Sequence, residues 1–295
     1  MTSNMSLLNE ERYKWLHEHK IGLHFSCDGD EETQNYNRPC RDSSCSSFDL
    51  VNANIPYILK YNPNITFRGT IIPETCHLLY HNYKFAMEKG FKNSFFIPNH
   101  REQWPTEKTK LLKEELSKIY HYYRGCFLLG KKPQMSFSPF DKLITKRIRS
   151  GVILNQNRRW KRCGMGTGSI SINYEGDIFA CQEQDSYGFE NIFHIGNLKT
   201  GIDHSLREKL ITTYIEQSQI ACEKPVRCLT CTVRDCCNLF CPSTIYDVYG
   251  RFDVAPEIGC MWQQWLQNMT DKLYTEFKND PYFISLYTPN GKKRG

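Results

Sequence analysis

Nine cysteines between residues 163 and 260 are the side chains whose spacing most directly predicts chemistry. They are Cys163, Cys181, Cys222, Cys228, Cys231, Cys236, Cys237, Cys241 and Cys260. Cys228 and Cys231 form a Cys-x2-Cys pair, which places two sulfurs on one turn where both can bind the same metal centre. One zinc ion takes four ligands, so a larger group of thiolates indicates two centres, and all-cysteine ligation is typical of iron–sulfur clusters. A structural zinc site is the weaker alternative.

The composition is that of a folded protein without a nucleic-acid or membrane function. The chain has 295 residues, 40% apolar and 13% aromatic, which suffices for one large or two ordinary domains with packed cores. No apolar run reaches the length of about eighteen residues that predicts a transmembrane helix, and the first residues lack the pattern of a signal peptide. We therefore expect a cytoplasmic protein with reduced thiols. The net charge of +6 is modest, and each four-cysteine 4Fe–4S cluster would add about −2, so no nucleic-acid partner is predicted.

Helices and strands alternate in the first half of the chain, which predicts a parallel α/β layer, because parallel strands need crossover helices. Predicted helices cover residues 7–19, 47–60, 73–90 and 106–130, and predicted strands cover residues 21–29, 64–71 and 91–99. Pro56 is expected to kink or break the second helix, Gly90 to end the third and Gly125 to weaken the fourth. Three strands, with the end of a fourth at the first residues, do not close a barrel.

The composition changes near residue 145, where seven basic residues lie between 146 and 162. We interpret them as a solvated linker surface, with a contact for an acidic peptide as the alternative. Residues 169–181 alternate around Gly176 and predict a tight hairpin that returns Cys181 beside the outgoing strand, with Gly176 supplying the positive φ of the turn. Helices are predicted at 204–218 and 260–277. The predicted domains cover residues 1–150 and 151–275, followed by a polar tail at 276–295.

The complete pattern is Cys163-x12-Gly176-x4-Cys181, Cys228-x2-Cys231-x5-Cys237-x3-Cys241 and Cys260. It resembles the seven-cysteine signature of the SPASM domain, the auxiliary-cluster module of radical SAM peptide- and protein-modifying enzymes. In the first half, residues 2–8, 22–38 and 66–76 resemble the third, fourth and fifth barrel strands of these enzymes. The resemblance implies a partial radical SAM-type β/α barrel followed by a small α+β SPASM domain.

Radical SAM chemistry also needs a Cys-x3-Cys-x2-Cys loop, which binds the 4Fe–4S cluster that chelates S-adenosylmethionine. This sequence contains no such spacing, since Cys27, Cys40, Cys45, Cys76 and Cys126 are scattered. The resemblance begins part-way into the barrel. We therefore expect the C-terminal part of such an enzyme without its first two strands, as a natural truncation, half of a split enzyme or a recombinant fragment. S-adenosylmethionine would bind only if an N-terminal part completed the site.

The resemblance assigns the cysteines to two auxiliary clusters, expected to be 4Fe–4S. Cys163, Cys181 and Cys241 would bind the first, and Cys228, Cys231, Cys237 and Cys260 the second. Asn157 stands where many relatives have a further cysteine. The fourth site of the first cluster is therefore open, for instance to a substrate thiolate, or filled by Cys222 or Cys236. Burial as small apolar residues is the alternative for these two cysteines.

The resemblance also places Ser26, Asp28 and Arg68 where relatives contact the ribose, methionyl amine or carboxylate of S-adenosylmethionine. Ordinary surface chemistry is the alternative for all three, and we assign no catalytic residue. In the sulfatase-maturing branch, the residue after the second SPASM cysteine is an aspartate that acts as a base. Here that residue is Gln182, and an amide cannot take up a proton at neutral pH, which argues against that branch.

We thus predict the C-terminal part of a radical SAM/SPASM maturase that modifies a ribosomally made peptide or protein. The partners implied by the resemblance are that substrate, a separate N-terminal radical SAM fragment and a redox donor such as ferredoxin or flavodoxin. A non-catalytic iron–sulfur electron-transfer or binding module is the alternative of a different class.

Overall fold

The computed structural model describes residues 2–3, 5–42, 44–150, 163–184, 191–223, 228, 230–231, 233 and 241–288. Cys236, Cys237, Asn157 and most of the basic segment lie outside the described residues, as does the side chain of Cys222. The chain divides into two compact units, one formed by residues 1–153 with 264–295 and the other by residues 154–263.

A five-stranded parallel sheet is the framework of the first unit. Its strands are β1 (Thr2–Ser3), β2 (His24–Ser26), β3 (Thr66–Ile71), β4 (Asn93–Pro98) and β5 (Ser136–Phe137), which lie side by side in chain order. Every pairing between neighbours is parallel, as the alternation of helices and strands predicted. The sequence did not reveal β5, because two residues are too short for a period of two to be visible.

The crossover helices of the first unit are α1 (Glu10–Glu18), α2 (Glu31–Asn37), α3 (Ser47–Asn52), α4 (Ile55–Tyr61), α5 (Leu79–Glu88), α6 (Thr106–Leu128) and α7 (Ser138–Ser150). The chain breaks between α3 and α4, with Pro56 in the first turn of α4, as expected. Gly90 has φ +94 just after α5, also as expected. Gly125 does not interrupt α6, so its predicted weak point is wrong; Leu116, Ile119 and Tyr123 bury one face of this helix.

Burial alternates along the three central strands of the sheet. In β3, Phe67 and Ile71 are buried whereas Arg68 and Thr70 are half-buried, and β4 repeats this pattern. The buried face carries an aromatic cluster in which Phe67 contacts Phe25, Phe85, Phe91 and Phe96. Since side chains alternate across a strand, the opposite face of the same strands carries the half-buried polar residues.

The segment after residue 276 is not simply a polar tail. The long helix α10 (Glu257–Phe277) is followed by α11 (Pro281–Tyr287), in which Phe283 is fully buried against Phe127 and Phe277. Asp280 caps α11 by accepting from the Tyr282 N–H. The expectation of a tail at 276–295 is therefore wrong for α11, because a single buried phenylalanine gives this short segment a hydrophobic anchor. Residues 289–295 lie outside the described residues.

Residues 264–275 belong to the first unit, although the sequence placed them in the second domain. Arg147 of α7 forms a salt bridge with Asp271 at 3.2 Å. Further along α10, Arg124 of α6 binds both carboxylate oxygens of Glu276, at 2.6 and 2.7 Å. These side chains attach the second half of α10 to α6 and α7.

A four-stranded antiparallel sheet forms the core of the second unit. Its strands are β6 (Ser171–Ile172), β7 (Asp177–Phe179), β8 (His194–Asn197) and β9 (Gly201–Ile202), and its helices are α8 (His204–Glu223), α9 (Pro242–Tyr249) and the first part of α10. The predicted hairpin is confirmed, with β6 paired to β7 and Gly176 at φ +88. Ile178, Phe193, Ile195, Leu210 and Phe252 fill its core. In the part of the chain that the structure describes, no helix is long and apolar enough to cross a membrane.

The packing of α11 predicts that Phe283→Ala lowers the free energy of unfolding by about 3 kcal/mol. This is the lower end of the range for a buried phenylalanine, and it is chosen because a helix as short as α11 can detach from the core. Urea denaturation measures this loss. Tyr282→Ala, on the exposed side of the same helix, is the matched control and should change stability by less than about 0.5 kcal/mol. Equal losses in both variants would show that α11 is not anchored through Phe283.

Candidate functional site

The loop after β2 is organised by the buried carboxylate of Asp28, which is 3% exposed. Its Oδ1 accepts from the Thr70 N–H at 2.8 Å and from Arg38 Nη2 at 3.1 Å, and its Oδ2 accepts from Arg38 Nε at 2.9 Å. A carboxylate offers about four acceptor positions, and these bonds occupy three of them. Asp28 therefore ties the end of α2 to β3, which leaves little capacity for the predicted contact with a cofactor.

Gly29 allows a close approach between this loop and α5. A Cβ at Gly29 would lie 2.2 Å from Oδ1 of Asn82, a buried residue of α5. That same Oδ1 accepts from the Asp30 N–H at 3.0 Å, while Nδ2 of Asn82 donates to Thr33 Oγ1 at 2.9 Å. Only glycine leaves room for this arrangement. Gly29, which suggested a turn in the sequence, is therefore also required for the packing of the loop against α5.

Ser26 and Arg68 lie next to each other on the half-buried face of the sheet. They are directly paired in the register between β2 and β3. Arg68 Nη1 lies 3.0 Å from His24 Nδ1, and the Arg68 guanidinium lies 5.3 Å from the centre of the Phe95 ring. The structure thus brings together two of the three predicted cofactor contacts, whereas Asp28 serves an internal bond.

Three residues that the sequence analysis did not single out complete this face: His24, Phe95 and Lys142. Burial, and then the positive charge of Arg68, lower the pKa of His24, so the neutral ring can accept from Arg68 at Nδ1. Lys142 Nζ lies 5.6 Å from the Phe95 ring centre. The period of two in the strands could have indicated His24 and Phe95, because both share the face of Ser26 and Arg68.

The second unit brings together the three cysteines that the resemblance assigns to the first cluster. The pKa of Cys181 is raised to about 11, mainly by burial and in smaller part by the nearby Cys241 and Cys163. Cys163 and Cys241 are exposed and Cys181 is half-buried. The pKa of Tyr214 is likewise raised, mainly by burial and also by Cys163 and Cys241. The hairpin and the start of α9 therefore place these distant sulfurs in one neighbourhood.

Among the described residues, no three histidine, cysteine or acidic side chains are close enough to hold a single metal ion. The assignment of Cys163, Cys181 and Cys241 to one cluster stays a prediction.

The structure describes three of the four cysteines that are predicted to bind the second cluster. The Cys231 N–H donates to the Cys228 carbonyl at 3.3 Å, so these residues share one turn, as the Cys-x2-Cys spacing predicted. Both side chains are half-buried, and so is Cys260 on α10. Cys237, the fourth member of this set, lies outside the described residues. The assignment of these ligands stays a prediction.

Gln184 connects the segment after Cys181 to the helix that begins after Cys241. This residue is 2% exposed, and its Nε2 donates to Ser243 Oγ at 2.6 Å and to Asp247 Oδ1 at 2.5 Å, both on α9. Its Oε1 accepts from Asn191 Nδ2 at 2.6 Å. The amide thus holds α9 against the loop that carries Cys181. No sequence pattern predicted this role of Gln184, because its partners on α9 lie about sixty residues away along the chain.

No family model matches the sequence. The chain is 24% identical over 211 residues to a cysteine-type anaerobic sulfatase-maturating enzyme of Clostridium perfringens, an alignment that covers 68% of this chain and 52% of that protein. The chain thus spans about half the length of the curated relative that it matches. This similarity and the structural match below confirm the predicted resemblance to radical SAM/SPASM peptide-modifying enzymes.

Solved structures extend the similarity to nearly the whole chain. Polyhistidine-tagged anSMEcpe with bound AdoMet superposes with a TM-score of 0.69 at 20% identity, covering 97% of this chain and 73% of that one. Native anSMEcpe with bound AdoMet and Cp18Cys peptide gives a TM-score of 0.65 at 20% identity, covering 95% and 76%. These matches confirm an α/β fold with a parallel sheet. The partial barrel and the SPASM domain stay predictions, and so does the inference from Gln182 against the sulfatase-maturing branch.

The bond between Arg38 and Asp28 predicts that Arg38→Ala destabilises the protein by about 1–3 kcal/mol, because a buried carboxylate loses its main partner. The value is discounted from that of a fully buried pair, since the Arg38 side chain is 36% exposed. Urea denaturation measures the loss. Arg41→Ala, an exposed arginine three residues along, is the control and should cost less than about 0.5 kcal/mol. A similar loss in both variants would contradict the role of Arg38.

The contacts of Gln184 predict that Gln184→Leu loosens the spacing between Cys181 and Cys241. Leucine keeps a similar volume but removes the side-chain hydrogen bonds to Asn191, Ser243 and Asp247. A short thiol-to-thiol crosslinker should join Cys181 to Cys241 severalfold more slowly in the variant. Gln182→Leu, at an exposed glutamine two residues away, should crosslink at the wild-type rate. Unchanged crosslinking in Gln184→Leu would show that this amide does not set the spacing.

Proposed function

We propose that this chain is the C-terminal part of a radical SAM/SPASM maturase that modifies a ribosomally made peptide or protein and supplies auxiliary iron–sulfur clusters. The observation that carries the proposal is the convergence of Cys163, Cys181 and Cys241 from three separate segments, in the grouping that the SPASM signature assigns to one cluster. The fold shared with anSMEcpe, and the sequence similarity to the Clostridium perfringens enzyme, support the same reading.

The chemistry of the thiols fits the proposed clusters. Cys163, Cys181 and Cys241 would hold the first, and Cys228, Cys231, Cys237 and Cys260 the second. When bound, such clusters accept an electron or hold a sulfur atom. Because burial favours the neutral thiol of Cys181, this cysteine must lose a proton before it can bind iron. The proposed place of action is the cytoplasm, where thiols are kept reduced.

On the first unit, Ser26 and Arg68 are the residues proposed to contact S-adenosylmethionine when an N-terminal radical SAM part completes the site. A guanidinium can bind a carboxylate through two parallel bonds, and the hydroxyl of Ser26 can donate to or accept from a ribose. Asp28 is reassigned from a cofactor contact to the internal bond with Arg38. A peptide is the proposed substrate class, because anSMEcpe has been solved with bound peptides. A ferredoxin or flavodoxin is the proposed redox donor.

The alternative is a non-catalytic iron–sulfur module for electron transfer or binding, which the similarity to a maturating enzyme does not favour. The 295 residues contain no Cys-x3-Cys-x2-Cys spacing, the element that binds the S-adenosylmethionine-cleaving cluster in the resembled family. Both candidates require the auxiliary clusters and differ in whether a partner supplies the missing chemistry. Cluster content and S-adenosylmethionine cleavage therefore test different parts of the proposal.

The cluster assignment predicts about eight irons per chain, with matching sulfide, if both clusters are 4Fe–4S. Cys231→Ser should lose about half of this iron after anaerobic reconstitution, because one ligand set is broken. Cys76→Ser is the control and should keep the full content, since Cys76 is buried with its thiol near the Lys108 carbonyl. Stoichiometric zinc without sulfide, or equal iron loss from both variants, would refute the assignment.

The missing cysteine motif predicts that the 295-residue chain by itself does not cleave S-adenosylmethionine. After reconstitution, the chain is incubated with dithionite and S-adenosylmethionine, and 5′-deoxyadenosine is measured. We expect less than one turnover per chain. Addition of a radical SAM fragment that carries Cys-x3-Cys-x2-Cys is the comparison expected to restore activity. Multiple turnovers by the chain alone would contradict the prediction and leave the cluster assignment untouched.

A further inference from the structure

Two cations of the first unit lie beside one aromatic ring without a carboxylate partner. The Arg68 guanidinium of β3 lies 5.3 Å from the centre of the Phe95 ring, and the Lys142 ammonium of α7 lies 5.6 Å from the same centre. Among the described residues, neither cation forms an ion pair. Arg147, further along α7, differs because it pairs with Asp271 at 3.2 Å. The positive charge around Phe95 is therefore not balanced within the part of the chain that the structure describes.

Two acidic side chains near this part of the sheet are bonded to other residues. Asp141 precedes Lys142 in α7, but its carboxylate accepts hydrogen bonds from the Tyr287 hydroxyl at 3.0 Å and from the Ser136 hydroxyl. The carboxylate of Asp28 is occupied by its internal bonds. Neither carboxylate serves as the counter-ion of the cations at the ring.

The two cations and the ring are arranged across neighbouring elements. Arg68 and Phe95 are directly paired in the register between β3 and β4, and Lys142 reaches the ring from the second turn of α7, which begins directly after β5. Arg68 and Phe95 are half-buried, whereas Lys142 is exposed. An ammonium beside an aromatic ring keeps its N–H donors. A ligand that approaches this face can therefore bind the Lys142 ammonium without displacing a carboxylate of the protein.

The charge of Lys142 is left over when the proposed cofactor is counted. S-adenosylmethionine has one carboxylate, which is proposed to bind Arg68. An unmodified peptide carries the negative charge of its side chains on aspartate and glutamate. We propose that Lys142, oriented by the ring of Phe95, binds an aspartate or glutamate side chain of the peptide substrate and so selects acidic peptides. The peptide nature of this ligand rests on the proposed function, whereas the need for an anion rests on the charges around Phe95.

Lysine acetylation of the full chain tests this subsite, because a carboxylate bound to the Lys142 ammonium shields it from the reagent. The protein is treated with trace acetic anhydride in the presence of the peptide Gly-Ser-Glu-Gly-Ser, blocked at both ends so that it has one carboxylate. Mass spectrometry then gives the acetylation rate of each lysine. We expect severalfold slower acetylation of Lys142 and no change at Lys110, an exposed lysine of α6.

The matched peptide with glutamine in place of glutamate is the control for charge and should protect neither lysine. Three outcomes would overturn the proposal: no protection of Lys142 by the glutamate peptide, equal protection by both peptides, or equal protection of Lys142 and Lys110.

Variants of Phe95 test whether the ring orients the ammonium. Phe95→Leu keeps an apolar side chain but removes the ring, so the glutamate peptide should protect Lys142 severalfold less. Phe95→Tyr keeps the ring and is the matched control, expected to retain the protection. Circular dichroism checks that both variants fold. Full protection in Phe95→Leu would overturn the role of the ring.

Failure of this proposal can be told apart from failure of the proposed function. Zinc without sulfide in the cluster assay would refute the proposed function and leave the charge-selective protection of Lys142 standing. Full iron and sulfide content together with equal protection by the two peptides would overturn only the acidic-peptide subsite.

Discussion

The carboxylate of Asp28 is almost completely buried, and its need for hydrogen-bonding partners constrains the structure of the first unit. A buried carboxylate is tolerated only when it is paired and hydrogen-bonded. Arg38 supplies the opposite charge from just beyond α2, and the Thr70 N–H supplies a bond from β3. The Asp28 N–H in turn donates to Gln34 Oε1 at 2.8 Å. One charge thereby fixes the position of α2 relative to two strands of the sheet.

In the second unit, a neutral side chain, the amide of Gln184, positions one segment of the chain relative to another. Gln184 has both a donor and an acceptor in one amide, so it can bind α9 and Asn191 at once without the cost of burying a charge. Buried polar groups of this kind favour one arrangement strongly, because any other leaves several partners unsatisfied. A hydrophobic side chain could fill the same space but could not select one spacing between the cysteine segments.

Much of this architecture could be predicted from residue patterns. The strands β2, β3 and β4, the hairpin around Gly176 and the Cys228–Cys231 turn follow from local rules that act over a few residues. Helix α2 was not predicted, because Glu31–Asn37 is short and polar and has only two buried residues, Thr33 and Gln34. Its capping signal was visible, however, since Asp30 accepts from the Thr33 N–H at 3.0 Å.

The bonds that position the candidate sites were harder to foresee. Arg38 lies within a segment that resembles a family motif, but this motif does not predict that Arg38 binds Asp28. The Gln184 amide reaches residues of α9, and no local period relates positions so far apart. Spacing rules predict which residues share a turn or a strand face, whereas contacts between distant segments depend on the assembled fold.

The geometry also separates the three residues that resemblance placed at a cofactor. Asp28 has its acceptor positions largely occupied by protein donors, so a ligand would compete with Arg38 and with the Thr70 N–H. Arg68 is in the opposite situation. A guanidinium has five N–H donors, and the bond to the neutral ring of His24 uses one of them. Because His24 is kept neutral, it orients the guanidinium without repelling it. Arg68 therefore retains the donors and the charge to bind an anionic group on the sheet face that it shares with Ser26.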